Sequence, residues 1–159
     1  MNRRDALKVT LFASSGLLVA CRTGRASSRV LSGSDQMLAE EIADTLLPTT
    51  AGSPGAKAAG TGAAMNLILS DCYTPADQRM FKEGLERFRA EKFLALSRVD
   101  RETFVRSVGR QAWFAPVRDL ALGAYFSSEI GMTQALRYVR VPGKYVGCMP
   151  LELGQPAWG

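Results

Sequence analysis

The sequence predicts an all-α fold, a compact bundle of five or six helices followed by an extended, irregular C-terminal tail. Three observations predict it. Apolar residues recur at helical spacing in successive segments between Leu38 and Tyr125, no segment alternates polar and apolar residues convincingly enough for a strand, and helix breakers crowd the chain after Tyr138.

The first helix is expected in "DQMLAEEIADTLLP", capped by Ser34 or Asp35 and ended by Pro48. Its buried stripe is Leu38, Ile42 and Leu46, and the carboxylates Glu40, Glu41 and Asp44 form a solvated face opposite. "TTAGSPGAKAAG" reads as a loop, and "TGAAMNLILSDCY" as a second, more apolar helix. Thr74, Pro75 and Asp77 announce a third helix, because threonine caps, proline suits the first turn and an acid favours the helix dipole. That helix turns Phe81, Leu85 and Phe88 towards a core, with Leu96 beyond them.

Asp100 is expected to cap a fourth helix, "RETFVRSVGRQAW", with Phe104 and Val108 inward. Pro116 opens a fifth, "VRDLALGAYFSSEI", whose Leu120, Ala124 and Tyr125 share a face, and "GMTQALRY" supplies a further short helix. After Tyr138 the chain holds Pro142, Pro150 and Pro156 and four glycines, which exclude a helix. Two readings of this tail stay open, each for all or part of it: it docks on a partner through Tyr138, Tyr145, Met149, Leu151 and Trp158, or it folds back on its own bundle, pinned by Cys72 to Cys148.

At 159 residues the chain allows one domain with a single core. Its formal net charge of +5 invites a nucleic-acid reading, but residues 1–30 carry six basic residues against the single acid Asp5. The remainder has 14 basic and 14 acidic residues, so the folded part is neutral and nucleic acid is not an expected partner.

Residues 1–21 have the parts of a secretory leader: a basic start, an apolar core from Val9 to Ala20, and a small residue before a candidate cut. Those 12 residues are too few for a permanent transmembrane helix. "RRDALK" resembles the twin-arginine export pattern through Arg3, Arg4, Leu7 and Lys8, with Ala6 where an aromatic is usual. "LVAC" resembles a lipobox, which leaves Cys21 either as the end of an apolar core or as a lipidated mature N-terminus. The expected divisions are a leader at 1–21, a flexible tether at 22–33, a helical domain at 34–138 and a partner-binding tail at 139–159.

Cys72 and Cys148 allow one pairing in an oxidising compartment, and closing that long loop would restrain the unfolded chain by about 4 kcal/mol. A disulfide is the expected state; the alternatives are two buried free thiols or a mixed surface case. The chain has no histidine, which removes the commonest general base and the usual haem and zinc ligand together. "GTGAAMN" lacks the preceding strand that a dinucleotide loop requires, so its glycines are read as easing a loop into a helix. No catalytic, cofactor-binding or metal-binding residue is therefore assigned to this chain.

Four ordered stretches, "ADTLLPTT", "SPGAKAAG", "DCYTPADQ" and above all "YFSSEIGMTQALRYVRVPGKYVGCMP", resemble the gluconate 2-dehydrogenase subunit 3 family. The resemblance implies a complex with a large FAD-bearing dehydrogenase subunit of the glucose–methanol–choline type and a cytochrome c subunit or other electron carrier. In such systems the small subunit bears the export signal, engages the twin-arginine translocase and carries the flavoprotein into the periplasm, where lipid on Cys21 would add membrane attachment. FAD belongs to the partner, and no catalytic residue is carried over to this chain. The rival readings are an independent envelope lipoprotein acting as a scaffold and a redox enzyme working through Cys72 and Cys148.

Overall fold

The computed structural model describes residues 29–141, 143–144, 147–150 and 152–158. Five α-helices follow one another: α1 at Gly33–Leu46, α2 at Thr61–Cys72, α3 at Pro75–Ala90, α4 at Arg98–Val108 and α5 at Ala115–Phe126. A 3-10 turn, Phe93–Ala95, joins α3 to α4, and a π-helical turn, Gly131–Ala135, follows α5. Among the described residues there is no strand, only two isolated bridges. The fold is the expected all-α bundle.

Three helices begin with the same device, a hydroxyl residue followed three positions later by an aspartate. Thr74 caps α3 as expected, its Oγ1 accepting the Asp77 N–H at 3.3 Å, with Pro75 in the first turn. The caps of α1 and α4 differ from expectation. Ser32, not Ser34 or Asp35, caps α1, and Ser97, not Asp100, caps α4. In both cases the aspartate sits inside the first turn: its N–H reaches the serine oxygen at 3.2 Å in α1 and 3.3 Å in α4, and its charge faces the helix dipole. Only at Thr74 does a proline mark which residue is the cap.

The earlier start of α1 also recruits the residues before it. Leu31 is buried, its N–H is accepted by Asn66 Oδ1 at 3.0 Å, and Asn66 Nδ2 donates back to the Leu31 carbonyl at 3.3 Å and to Gln36 Oε1 at 3.0 Å. Ser70 Oγ accepts the Val30 N–H at 3.1 Å. A buried asparagine with its amide satisfied in this way fastens an otherwise irregular segment to α2. The folded body thus takes in residues 30–32.

α1 and α2 cross closely because Gly62 lies on the α1 backbone: a Cβ there would stand 2.7 Å from Glu40 Cβ. Gly60, at φ 62°, carries the chain from the loop into α2, the role expected of that glycine pair. The core runs from Leu38, Ile42, Met65 and Leu69 through Phe81, Leu85 and Phe88 to Val117, Leu120 and Tyr125. Each fully buried side chain of this size contributes roughly 1.5–3 kcal/mol. At one end Phe88 is ringed by Phe93, Phe104, Trp113 and Phe114, with centroids 5.0–5.7 Å away, so one aromatic ring ties α3 to the 3-10 turn, α4 and α5. Leu96 lies after the 3-10 turn and packs partly buried against this core, as Phe104 and Val108 do; Val105 is the buried residue of α4.

Candidate interaction site, the clasped C-terminal loop

The π-helical turn sets where the tail begins. Ser128 Oγ donates to the Tyr125 carbonyl at 2.6 Å and accepts the Gly131 N–H at 3.0 Å, which doubles the chain back against the end of α5. Leu136 then leaves in an extended conformation, and "GMTQALRY" is a single wide turn instead of a further α-helix.

Beyond it the tail closes on its own root. The Arg137 N–H donates to the Ala157 carbonyl at 2.7 Å, Arg137 and Trp158 form an isolated parallel bridge, and the Arg137 guanidinium lies 4.3 Å above the Trp158 ring. The described residues between 138 and 157 therefore lie in a loop closed at its two ends.

This loop turns apolar side chains outward. Of the eleven large hydrophobic residues exposed among the described residues, six lie in it or at its ends: Tyr138, Val139, Val141, Met149, Leu153 and Trp158. Concentrated in one segment, they make it the candidate interaction surface, whereas side chains scattered singly would carry no such meaning. Tyr138, Met149 and Trp158 were expected at an interface and are exposed, and Tyr145 and Leu151 lie outside the described residues. Arg137, Val139, Val141 and Leu153 were not anticipated. Val139 and Val141 flank Arg140 in a short alternation that signals extended backbone, but nothing local connects Arg137 with Trp158.

The expected pairing of Cys72 with Cys148 is not formed, and both are free, exposed thiols. Cys72 ends α2 on the bundle surface, and the element carrying Cys148 is held at Arg137. The leader residues Arg3, Arg4, Leu7, Lys8 and Cys21 lie outside the described residues.

The carboxylates expected on a solvated face are partly engaged. Glu41 is paired with Lys57 and, at 2.7 Å, with Arg101, whose Nε and Nη2 also donate to the Phe93 and Leu94 carbonyls. The hydrogen bond from Lys57 holds the Glu41 carboxyl below its usual value, against the opposing effect of burial and with help from Arg101. Asp44 accepts the Lys57 N–H at 3.3 Å. These contacts pin the loop after α1 and the 3-10 turn to α1. Asp35, at the other end of α1, pairs with Arg89 of α3.

Two surface grooves lie beside Pro48 and the carboxylate of Glu102, and two more lie elsewhere. Of the latter, one, of 290 Å³, is lined by Leu38, Phe93, Leu94 and Ala95 with Lys92 and Arg89 at its rim; the other, of 550 Å³, lies between α1 and α2 beside Arg29, Gln36 and Leu67. Neither of these two is lined by a cysteine or a carboxylate. Among the described residues no group of three or more cysteines and carboxylates is placed to hold a metal ion, and no helix is long and apolar enough to cross a membrane.

Among the described residues the fold is that of a small all-helical protein with exposed apolar side chains concentrated in its C-terminal segment. The model of the gluconate 2-dehydrogenase subunit 3 family matches residues 34–143, more than half of the chain, and the protein belongs to that family, the accessory subunit of a dehydrogenase complex. No curated protein and no solved structure matches the chain.

Proposed function

We propose that this protein is the non-catalytic small subunit of a periplasmic, FAD-dependent sugar or aldonate dehydrogenase complex. It escorts the flavoprotein subunit through twin-arginine export and supports its maturation and stability. Catalysis resides in the FAD-bearing partner, and a cytochrome c subunit or other carrier takes the electrons. The observation that carries this reading is the joining, in one chain, of a "RRDALK" leader to a body of this family. Twin arginines serve cargo that crosses the membrane folded, and a flavoprotein that binds FAD before export is such cargo.

The exposed apolar loop supports the same reading, because a body with a complete core of its own has no internal use for Val141, Met149 and Leu153. Replacing Arg3 and Arg4 with lysine is expected to strand the flavoprotein subunit in the cytoplasm with this chain. A flavoprotein that still reaches the periplasm would rule out the escort. Acylation of Cys21 would add membrane attachment, and incorporation of labelled palmitate, lost in Cys21→Ser, reads that directly.

A further inference from the structure

Charge is not evenly shared along the neutral folded part. Residues 30–136 carry 11 basic and 13 acidic residues, whereas residues 137–159 carry Arg137, Arg140 and Lys144 against the single acid Glu152. Arg140 and Lys144 are exposed and form no ion pair with the described residues. The basic excess thus falls on the same loop as the exposed Val139, Val141, Met149 and Leu153. A loop that carries both exposed apolar side chains and an excess of cations is the complement of an apolar patch bearing carboxylates.

We infer that the loop closed by Arg137 and Trp158 is a docking element for an acidic, apolar-centred face of the large dehydrogenase subunit, and that Arg137 and Trp158 are positioning residues that hold it ready. This rests on the accessory-subunit reading above. The clasp has two components at one point, a 2.7 Å main-chain hydrogen bond and a cation held 4.3 Å over an indole face. Joining the loop's ends shortens the set of shapes it samples before docking, so less ordering is left to be done on binding. Trp158 is 47% exposed, so one part of it closes the loop while the rest faces outward with Tyr138. Arg140 and Lys144 act at longer range, steering the encounter and fixing its orientation.

The test uses the full chain co-expressed with its flavin-bearing large subunit, read as flavin absorbance recovered per tagged small chain and as Kd at low and high salt. Trp158→Ala is expected to weaken the complex at least about tenfold, with Trp158→Phe recovering most of the loss because a ring face remains for Arg137. Arg140→Glu with Lys144→Glu is expected to weaken it about tenfold at low salt and little at high salt. Far-UV circular dichroism and the thermal midpoint should not move. Leu153→Ser provides a second reading independent of the clasp, since that side chain is fully exposed and its loss cannot unfold the bundle.

A wild-type chain that recovers no flavin would overturn the accessory-subunit reading itself. Recovery of flavin by wild type and equally by all the variants would leave that reading intact and overturn the docking assignment. A third arm offers phosphatidylglycerol vesicles. Variants that lose vesicle binding while keeping the large subunit would show the loop to be a lipid-facing surface, against the inference.

Discussion

The hydroxyl of Tyr125 donates to the Pro54 carbonyl at 2.5 Å, and the Ser53 hydroxyl lies 2.8 Å from the same phenolic oxygen. The tyrosine ring is buried in α5, so the last long helix grips the loop between α1 and α2 through the polar tip of a core side chain. The loop is organised for that grip. Thr49 Oγ1 accepts the Gly55 N–H at 2.9 Å, and the Ala56 N–H bonds to the Leu47 carbonyl at 2.9 Å.

Tyr125→Phe keeps the packing and removes only the hydroxyl, leaving the Pro54 carbonyl with a weaker partner. A loss of about 1–2 kcal/mol in urea unfolding is expected. Faster amide exchange at Gly55 and Ala56 should accompany it, because the main-chain bonds of the loop lose their anchor while the helices keep theirs.

Gly131 and Gly123 are predicted to respond in opposite directions. A Cβ at Gly131 would stand 2.0 Å from the Tyr125 carbonyl oxygen, a backbone atom that cannot swing away. Gly131→Ala is expected to destabilise by about 2–4 kcal/mol and to disturb the exit of the tail. At Gly123 nothing lies within 4 Å, so Gly123→Ala in the exposed interior of α5 should stabilise by about 0.5–1 kcal/mol. Thermal midpoints of the two variants on either side of wild type would bear this out, and a shared direction would refute it.

Acid should weaken the body through two carboxylates. Burial opposes ionisation of Asp35, but the Ser32 and Arg89 side chains and the Ser32 N–H outweigh it and hold its carboxyl below the ordinary 3.8; Glu41, held chiefly by Lys57, lies below the ordinary 4.5. Both values are lower in the folded chain than in the unfolded one. Their stabilisation is complete above about pH 4.5 and is lost as pH falls through the depressed folded values. Asp35→Asn and Glu41→Gln should each lower stability at pH 7 by about 0.5–1 kcal/mol, because Arg89 and Lys57 are half-exposed and solvent screens the pairs, and should flatten the decline in the urea midpoint on acidification. Lys57 shifts the other way, raised by its bond to Glu41, so its contribution persists through neutral pH and is lost only in strong alkali.

Asn66→Ala removes a side chain that satisfies both main-chain groups of Leu31. A cost of about 2–3 kcal/mol is expected, because a buried N–H and carbonyl are left without partners. Limited proteolysis should find new cleavage near residues 29–32, whereas sites within α3 to α5 should stay protected.

The reach of the sequence differs from element to element for physical reasons. The stripe Leu38, Ile42 in α1, the trio Phe81, Leu85, Phe88 in α3 and the face Leu120, Ala124, Tyr125 in α5 were all legible, because helical periodicity alone brings them to one side. The cap positions at Ser32 and Ser97 were displaced by two or three residues, since an aspartate in the first turn resembles a cap until its partner hydroxyl is identified. The interface residues Tyr138, Met149 and Trp158 could be chosen by residue type, but the anchoring Arg137 could not.

By itself, then, the sequence determined the helical class, the order of the helices, the family and the irregular character of the tail. Each of these follows from the period of apolar residues, from local turn chemistry or from ordered motifs along the chain. Only the tertiary structure decided that Tyr125 holds Pro54, that Asn66 holds Leu31, that Cys72 and Cys148 stand as free thiols, and that Trp158 returns to Arg137. Those contacts join residues far apart in sequence, and which distant polar groups meet is set by how the helices pack, which no local pattern encodes.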